Sequence, residues 1–196
     1  MGDYFNKTKL NGLVYAEPVP FASLCGVQLY QAFLKVRMHP EYEATDILPV
    51  LLSDGEFTKL DKFVRNKFVH TYGTIGRVKD ATNKLSLCAF LSGVEYVESG
   101  KEKHVNDVKA NGELVANPFY LKNQHNSQCC RLMVETDKVQ GVLVPSFVIG
   151  DSVKRCRNFR AGDFVKVRGR YTSCREANGN IKYDVRANYI ALQYKE

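Results

Sequence analysis

Tryptophan is absent from this 196-residue chain, and methionine (3), histidine (4) and proline (6) are scarce. The four histidines (His39, His70, His104, His125) are scattered, and no CxxC pair occurs among the six cysteines. A zinc site needs clustered ligands, so no metal is expected. The expected state of Cys25, Cys88, Cys129, Cys130, Cys156 and Cys174 is reduced and mostly buried. Long hydrophobic runs are also missing. The longest uncharged stretch, Pro18 to Leu34, is interrupted by Pro20, Ser23, Gln28 and Gln31, and falls short of the roughly 20 apolar residues of a spanning helix. The N-terminus MGDYFNKTKL has no hydrophobic signal region, and Asn6 stands where a myristoylation signal has Ser or Thr. These absences point away from a membrane and toward the cytoplasm. Catalytic signatures are absent too: there is no Gly-rich phosphate loop, HExxH, GxSxG or paired Cys-His, and Asp46, Asp54 and Asp61 are irregularly spaced. The expectation is a non-enzyme without a cofactor.

What is present is a core and a lopsided charge. Hydrophobic residues make up 44% and charged residues 25%, with 11 Tyr and 11 Phe supplying the aromatics, so the chain has the material to fold. The net charge is +7. Residues 1–100 hold 11 basic and 11 acidic side chains, whereas residues 101–196 hold 17 and 10. All of the excess lies in the second half, which suggests two domains, one of them facing a polyanion.

The two halves also superimpose. NGLVYAEP begins at Asn11 and NGELVANP at Asn111, a shift of 100. Further on the shift is 96: Pro49 meets Pro145, Phe63 meets Phe159, Phe68-Val69 meets Phe164-Val165, and Gly73 meets Gly169. Only six of the 48 pairs from position 49 to 96 are identical, but the matches fall at strand cores, a helix anchor and a glycine. Two copies of one small fold are expected, residues 1–98 and 111–196, with the polar stretch 99–110 as a linker.

The second copy shows the plan more openly. A strand starts at Leu114-Val115. Strands follow at Cys129–Thr136 and Val142–Ile149, then a short helical stretch from Ser152 to Arg160. A strand from Phe164 to Cys174, a turn at Asn178-Gly179 and a last strand from Ile181 to Leu192 complete it. Val153, Cys156 and Phe159, three apart, share one face of the helix. Five strands with a helix between the third and fourth is the order of an OB barrel. The expected fold is all-β: two tandem five-stranded OB barrels, each with that helix.

The stretch Leu143–Leu192 resembles the bacterial single-stranded DNA-binding protein (SSB) family. Pro145, Gly150, the Val153–Phe159 helix, the strand from Gly162 to Gly169, the Asn178-Gly179 turn and Tyr183 carry the resemblance. It covers about 80 residues well and, through the repeat, extends to the first copy. It implies single-stranded DNA binding by OB folds in replication, recombination or repair, and two chains assembling into four barrels. Two departures stand out. The family stacks bases on outward aromatics of strands three and four and of the next hairpin, whereas this chain has Leu143, Phe147 and Ile149 in strand three and Glu176 near the hairpin. The chain also stops at Gln193-Tyr194-Lys195-Glu196 without the family's acidic tail, which resembles the tail-less PriB type and phage-borne versions.

Strand alternation nominates binding residues. In the strand after the helix, Val165, Val167, Gly169 and Tyr171 face the core. Lys166, Arg168 and Arg170 then form an outward row at about 7 Å spacing, suited to a phosphate backbone. Phe147 is the best stacking candidate, and Arg131 adds guanidinium stacking. In the first copy the outward positions of the matching strand are His70, Tyr72 and Thr74, so the basic row is replaced by an aromatic. Tyr72, and Tyr30 in the second strand, suit either base stacking or an interface. The expected function is non-catalytic binding of single-stranded DNA, with RNA open to the same surface. The alternative is a protein-interaction adaptor in a replication complex, in which nucleic-acid contact is secondary.

Overall fold

The computed structural model describes residues 3–39, 42–53, 63–79, 84–98, 100–122, 127–176 and 178–193. Alternation of apolar and polar side chains carries most of them into strands. These are β1 (Phe5–Leu24), β2 (Val27–His39), β3 (Tyr42–Ser53), β4 (Phe68–Lys79), β5 (Leu85–Tyr96), β6 (Val105–Leu114), β7 (Phe119–Lys122), β8 (Gln128–Asp137), β9 (Val142–Ile149), β10 (Phe164–Arg175) and β11 (Ile181–Leu192). One short helix, α1 (Ser152–Arg155), runs on into a 3-10 turn at Cys156–Asn158. Among the described residues no helix is long and apolar enough to cross a membrane.

The chain divides into two compact units, each discontinuous in sequence. Thr8–Asn106 and Thr172–Tyr183, the tip of the β10–β11 hairpin, make the first. Residues 3–7, 107–171 and 184–193 make the second. In the first unit the strands run β2-β3-β5-β4-β1, and a β1–β2 pairing closes the cycle. In the second the order β6-β10-β11-β9-β8 is closed by β6–β8, with β7 added beside β8. In each, the third and fifth strands pair in parallel, β3–β5 and β9–β11. Both cycles have the OB order, so the chain is a tandem OB protein.

The repeat holds to the residue. Phe68, Val69, His70, Thr71, Tyr72 and Gly73 lie opposite Leu13, Gly12, Asn11, Leu10, Lys9 and Thr8. Phe164 to Gly169 lie in the same order opposite Glu113, Gly112, Asn111, Ala110, Lys109 and Val108. Val14 exchanges backbone hydrogen bonds with Lys67 and Asn66 as Leu114 does with Asp163 and Gly162. Asn66 and Gly162 both take positive φ, 66° and 87°.

Val153, Cys156 and Phe159 are all buried, so the helical segment plugs the second barrel with the face its spacing predicts. Phe63, the counterpart of Phe159, is likewise buried. A side chain of this kind stabilises the fold by about 1.5–3 kcal/mol. The segment 54–62, where the first copy's helix is expected, lies outside the described residues.

Two local expectations need correction. The strand expected to start at Leu114-Val115 ends there instead, and β6 occupies residues 105–110 of the stretch read as linker. Its inward positions are Val108, Ala110, Gly112 and Leu114, and two of these are too small to give an apolar signature. Phe164, on the outward side of β10, is buried, with Tyr4 packed edge-on at 5.2 Å between ring centroids.

Candidate nucleic-acid interface

On the second barrel, directly paired residues point the same way, so register alone assembles a surface. Phe119 on β7 lies opposite Arg131 on β8, Arg131 opposite Phe147 on β9, and Phe147 beside Arg186 on β11. The inward neighbours of Phe147 are the buried Ser146 and Val148, and those of Arg186 are the buried Val185 and Ala187. The result is an outward row, Phe119–Arg131–Phe147–Arg186, alternating ring and guanidinium across four strands. Three inter-strand steps make it roughly 14 Å long. Phe119 is 62% exposed, more than any other aromatic among the described residues, Arg131 and Arg186 are exposed, and Phe147 is half-buried.

The row continues onto β10. Gly169 lies against the backbone of Arg186 and Ala187, so its outward neighbours Arg168 and Arg170 flank that end of the row. Lys166 and Arg168 line a shallow groove of about 420 Å³ with Asp107, Asn188 and Tyr189. Lys109, opposite Arg168, is paired with Asp107 at 3.2 Å. Lys166, Arg168, Arg170, Arg131 and Arg186 form no ion pair among the described residues, so five cations on one barrel are not neutralised locally.

The same positions of the first barrel are built differently. Val19 lies opposite Gln31, Gln31 opposite Leu51, and Leu51 beside Phe90. Leu51 is outward by alternation yet 1% exposed, and with Leu29 and Cys88 it forms a cluster packed by Phe21, Val78 and Phe90. The hairpin tip is held on the same barrel. Ser173 donates from its backbone N–H and its Oγ to one oxygen of Asp46, at 2.9 and 2.6 Å, and Asp46 is 2% exposed. Tyr183, at the other side of the tip, has its phenol pushed up by burial and by the nearby Cys88 and Asp46. This face of the first barrel is apolar and packed by its own side chains, and the hairpin tip is anchored at Asp46.

The remaining first-copy candidates are dispersed. Tyr72 is 37% exposed, packs over Gly93 and carries the Lys9 ammonium 5.1 Å above its ring. In the second barrel the matching positions are Arg168, Tyr189 and Lys109, so the ring has moved from the fourth strand to the fifth, the Lys remains and an Arg takes the ring's old place. His70 is half-buried and edge-on to Phe68, and its Nε2 is buried without a hydrogen-bond partner among the described residues. Tyr30 is half-buried and in phase with the core residues Ala32 and Leu34, so the outward position beside it is Gln31.

Sequence reasoning thus nominated Arg131 and Phe147 separately, and the structure makes them neighbours. It missed Phe119, Arg186 and Tyr189. Arg186 was within reach, because Val185 and Ala187 flank it as inward residues. Phe119 was not, because a four-residue strand after Pro118 gives too short a pattern.

No protein-family model matches the chain, and no curated protein matches it in sequence. Solved structures do match. The wild-type single-stranded DNA-binding protein from Thermus aquaticus superimposes with a TM-score of 0.80 at 16% identity, covering 100% of this chain and 96% of that one. A deletion variant of the single-stranded DNA-binding protein from the same organism gives 0.78 at 14% identity, covering 100% and 98%. The N-terminal domain of PriB from Thermoanaerobacter tencongensis aligns with 48% of this chain and 98% of its own, at 22% identity and a TM-score of 0.41. Over its whole length, this chain therefore shares the tandem OB fold of the Thermus aquaticus protein.

Proposed function

We propose that this chain is a non-catalytic binder of single-stranded DNA that acts in the cytoplasm, in replication, recombination or repair of a bacterial or mobile-element genome. The observation that carries the proposal is the Phe119–Arg131–Phe147–Arg186 row with its unpaired cations. Each ring offers a stacking platform worth about 1–3 kcal/mol per base, and every base has a face to stack. The guanidiniums and Lys166, Arg168 and Arg170 follow the phosphates. The fold shared with the Thermus aquaticus single-stranded DNA-binding protein agrees with this reading. Self-association of two chains into a four-barrel assembly extends it, and light scattering of the purified chain measures that state.

Five phosphate contacts on a single strand give a log–log salt slope of about −3.5. Fluorescence anisotropy with labelled oligo-dT at several salt concentrations tests the assignment. Replacing Arg168 and Arg170 together by Ala weakens binding to all sequences and flattens the slope by about 1.4. Unchanged affinity at every salt would show that the β10 row takes no part.

The second reading is a protein adaptor. What favours it is the first barrel, whose corresponding face offers no ring–cation row and is packed by Phe21, Val78 and Phe90. The parent chain failing to bind at low salt would select the adaptor. A competition with oligo-U decides between DNA and RNA.

A further inference from the structure

Consecutive residues of a strand point to opposite sides. Phe119 and Tyr120 are consecutive on β7, and both are exposed, at 62% and 45%. Phe119 belongs to the row described above. Tyr120 turns to the other side, where it lines a separate groove of about 380 Å³ with Leu121, Lys122, Gln128 and Arg157. Arg157 comes from the 3-10 turn after α1, so this groove joins the β7–β8 hairpin to the helical plug.

The charges of the helical segment are not equivalent. Lys154 is paired with Asp151 at 2.9 Å. The Arg160 guanidinium donates to the carbonyls of Arg157 and Phe159, at 3.1 and 2.8 Å, and so satisfies the end of the helical segment. Arg157 has neither task and is exposed at the groove, and Lys122 is likewise exposed and without an ion pair among the described residues. Tyr120 is paired in register with the buried Cys130 on β8, which sets the place of its backbone beside the groove. An exposed ring that shares one groove with two cations and the Gln128 amide suits one nucleobase and its flanking phosphates.

We infer that the Tyr120–Lys122–Arg157 groove is a second single-strand subsite, entered by a strand that crosses the edge of β7 from Phe119 to Tyr120. The inference rests on the single-strand reading of the barrel and adds a route to it. A short oligomer fills the outer row alone, while a longer one turns the edge and reaches Tyr120.

The test compares oligo-dT of about 8 and about 30 nucleotides on the full chain. Tyr120→Ala and Arg157→Gln each weaken the longer oligomer about tenfold and leave the shorter one within about twofold. Tyr120→Phe keeps the ring and binds both lengths like the parent. Arg157→Gln, an exposed change, also lowers the salt slope by about 0.7 for the longer oligomer alone. If both variants bind the longer oligomer like the parent, the subsite does not exist. Equal losses at both lengths also overturn it, because the groove is then not a separate extension. If the parent binds neither length, the single-strand reading itself has failed and this proposal falls with it.

Discussion

The α-carbon of Gly112 on β6 faces the carbonyl oxygen of Glu135 on β8 so closely that a Cβ there would stand 1.9 Å from that oxygen. Gly12 stands in the same relation to the carbonyl of Lys35, at 2.5 Å. The two carbonyls are 100 residues apart, as are the two glycines, so the same close approach joins first and second strand in both barrels. Gly112→Ala must push one backbone from another and costs about 3 kcal/mol. Gly93→Ala is the control, since its Cβ meets only the Tyr72 side chain at 3.5 Å, and it changes stability by less than about 1 kcal/mol. Urea unfolding of the two variants beside the parent measures the difference.

The hairpin seat on the first barrel depends on one carboxylate. Asp46 accepts twice from Ser173, and its second oxygen is buried without a hydrogen-bond partner among the described residues. Asp46→Ala removes the acceptor and leaves the Ser173 N–H unmet, a loss of about 1–3 kcal/mol. Hydrogen exchange should rise at residues 172–176 first. Adding Ser173→Ala to Asp46→Ala costs little more than Asp46→Ala alone, because both changes break the same pair.

The two outer rows should differ in their response to charge. Arg131→Glu weakens oligo-dT binding at least about tenfold, by removing one phosphate contact and repelling its neighbour. Gln31→Glu, the same position of the first barrel, leaves binding within about twofold, because that row holds Leu51 and Phe90 against the chain itself. Anisotropy titrations at one salt concentration compare them. Equal losses would show that the first barrel binds as well.

Stability should respond to pH through His104. Its Nδ1 accepts from the Arg37 backbone N–H at 3.3 Å, and its ring packs edge-on to Phe68 at 5.0 Å between centroids. Burial, then the Arg37 charge, lowers its pKa from the ordinary 6.5. The unfolded chain therefore takes up this proton first as the pH falls. The stability is present above 6.5 and is lost on acidification through that value, until the folded histidine also protonates. Urea midpoints at about pH 7.5 and about pH 5.5 show the drop, and His104→Gln makes it smaller.

Thiol reactivity follows burial. Cys25 and Cys174 are exposed, while Cys88, Cys129, Cys130 and Cys156 are buried. Burial also pushes the Cys88 thiol up to about 12, far from the reactive thiolate. Two thiols per chain should react with a maleimide under native conditions, and the other four only on unfolding. Fast reaction of a third would show that one of the buried clusters opens.

The sequence by itself determined the repeat, most of the second copy's strands and the side of those strands on which their residues lie. A period of two is local, and Val165, Val167, Gly169 and Tyr171 against Lys166, Arg168 and Arg170 display it without reference to the rest of the chain. It also located the excess charge. Only the tertiary structure decided which outward residues meet and which stay exposed. Phe119, Arg131, Phe147 and Arg186 span 68 residues of sequence and become one row because barrel closure sets the register of four strands. Leu51 and Phe147 are equivalent by repeat and both outward, yet the first is sealed and the second half-open. That difference comes from Phe21, Val78 and Phe90, which pack against the cluster that holds Leu51. Alternation tells a side chain which way to point, but exposure depends on what another part of the chain lays over it.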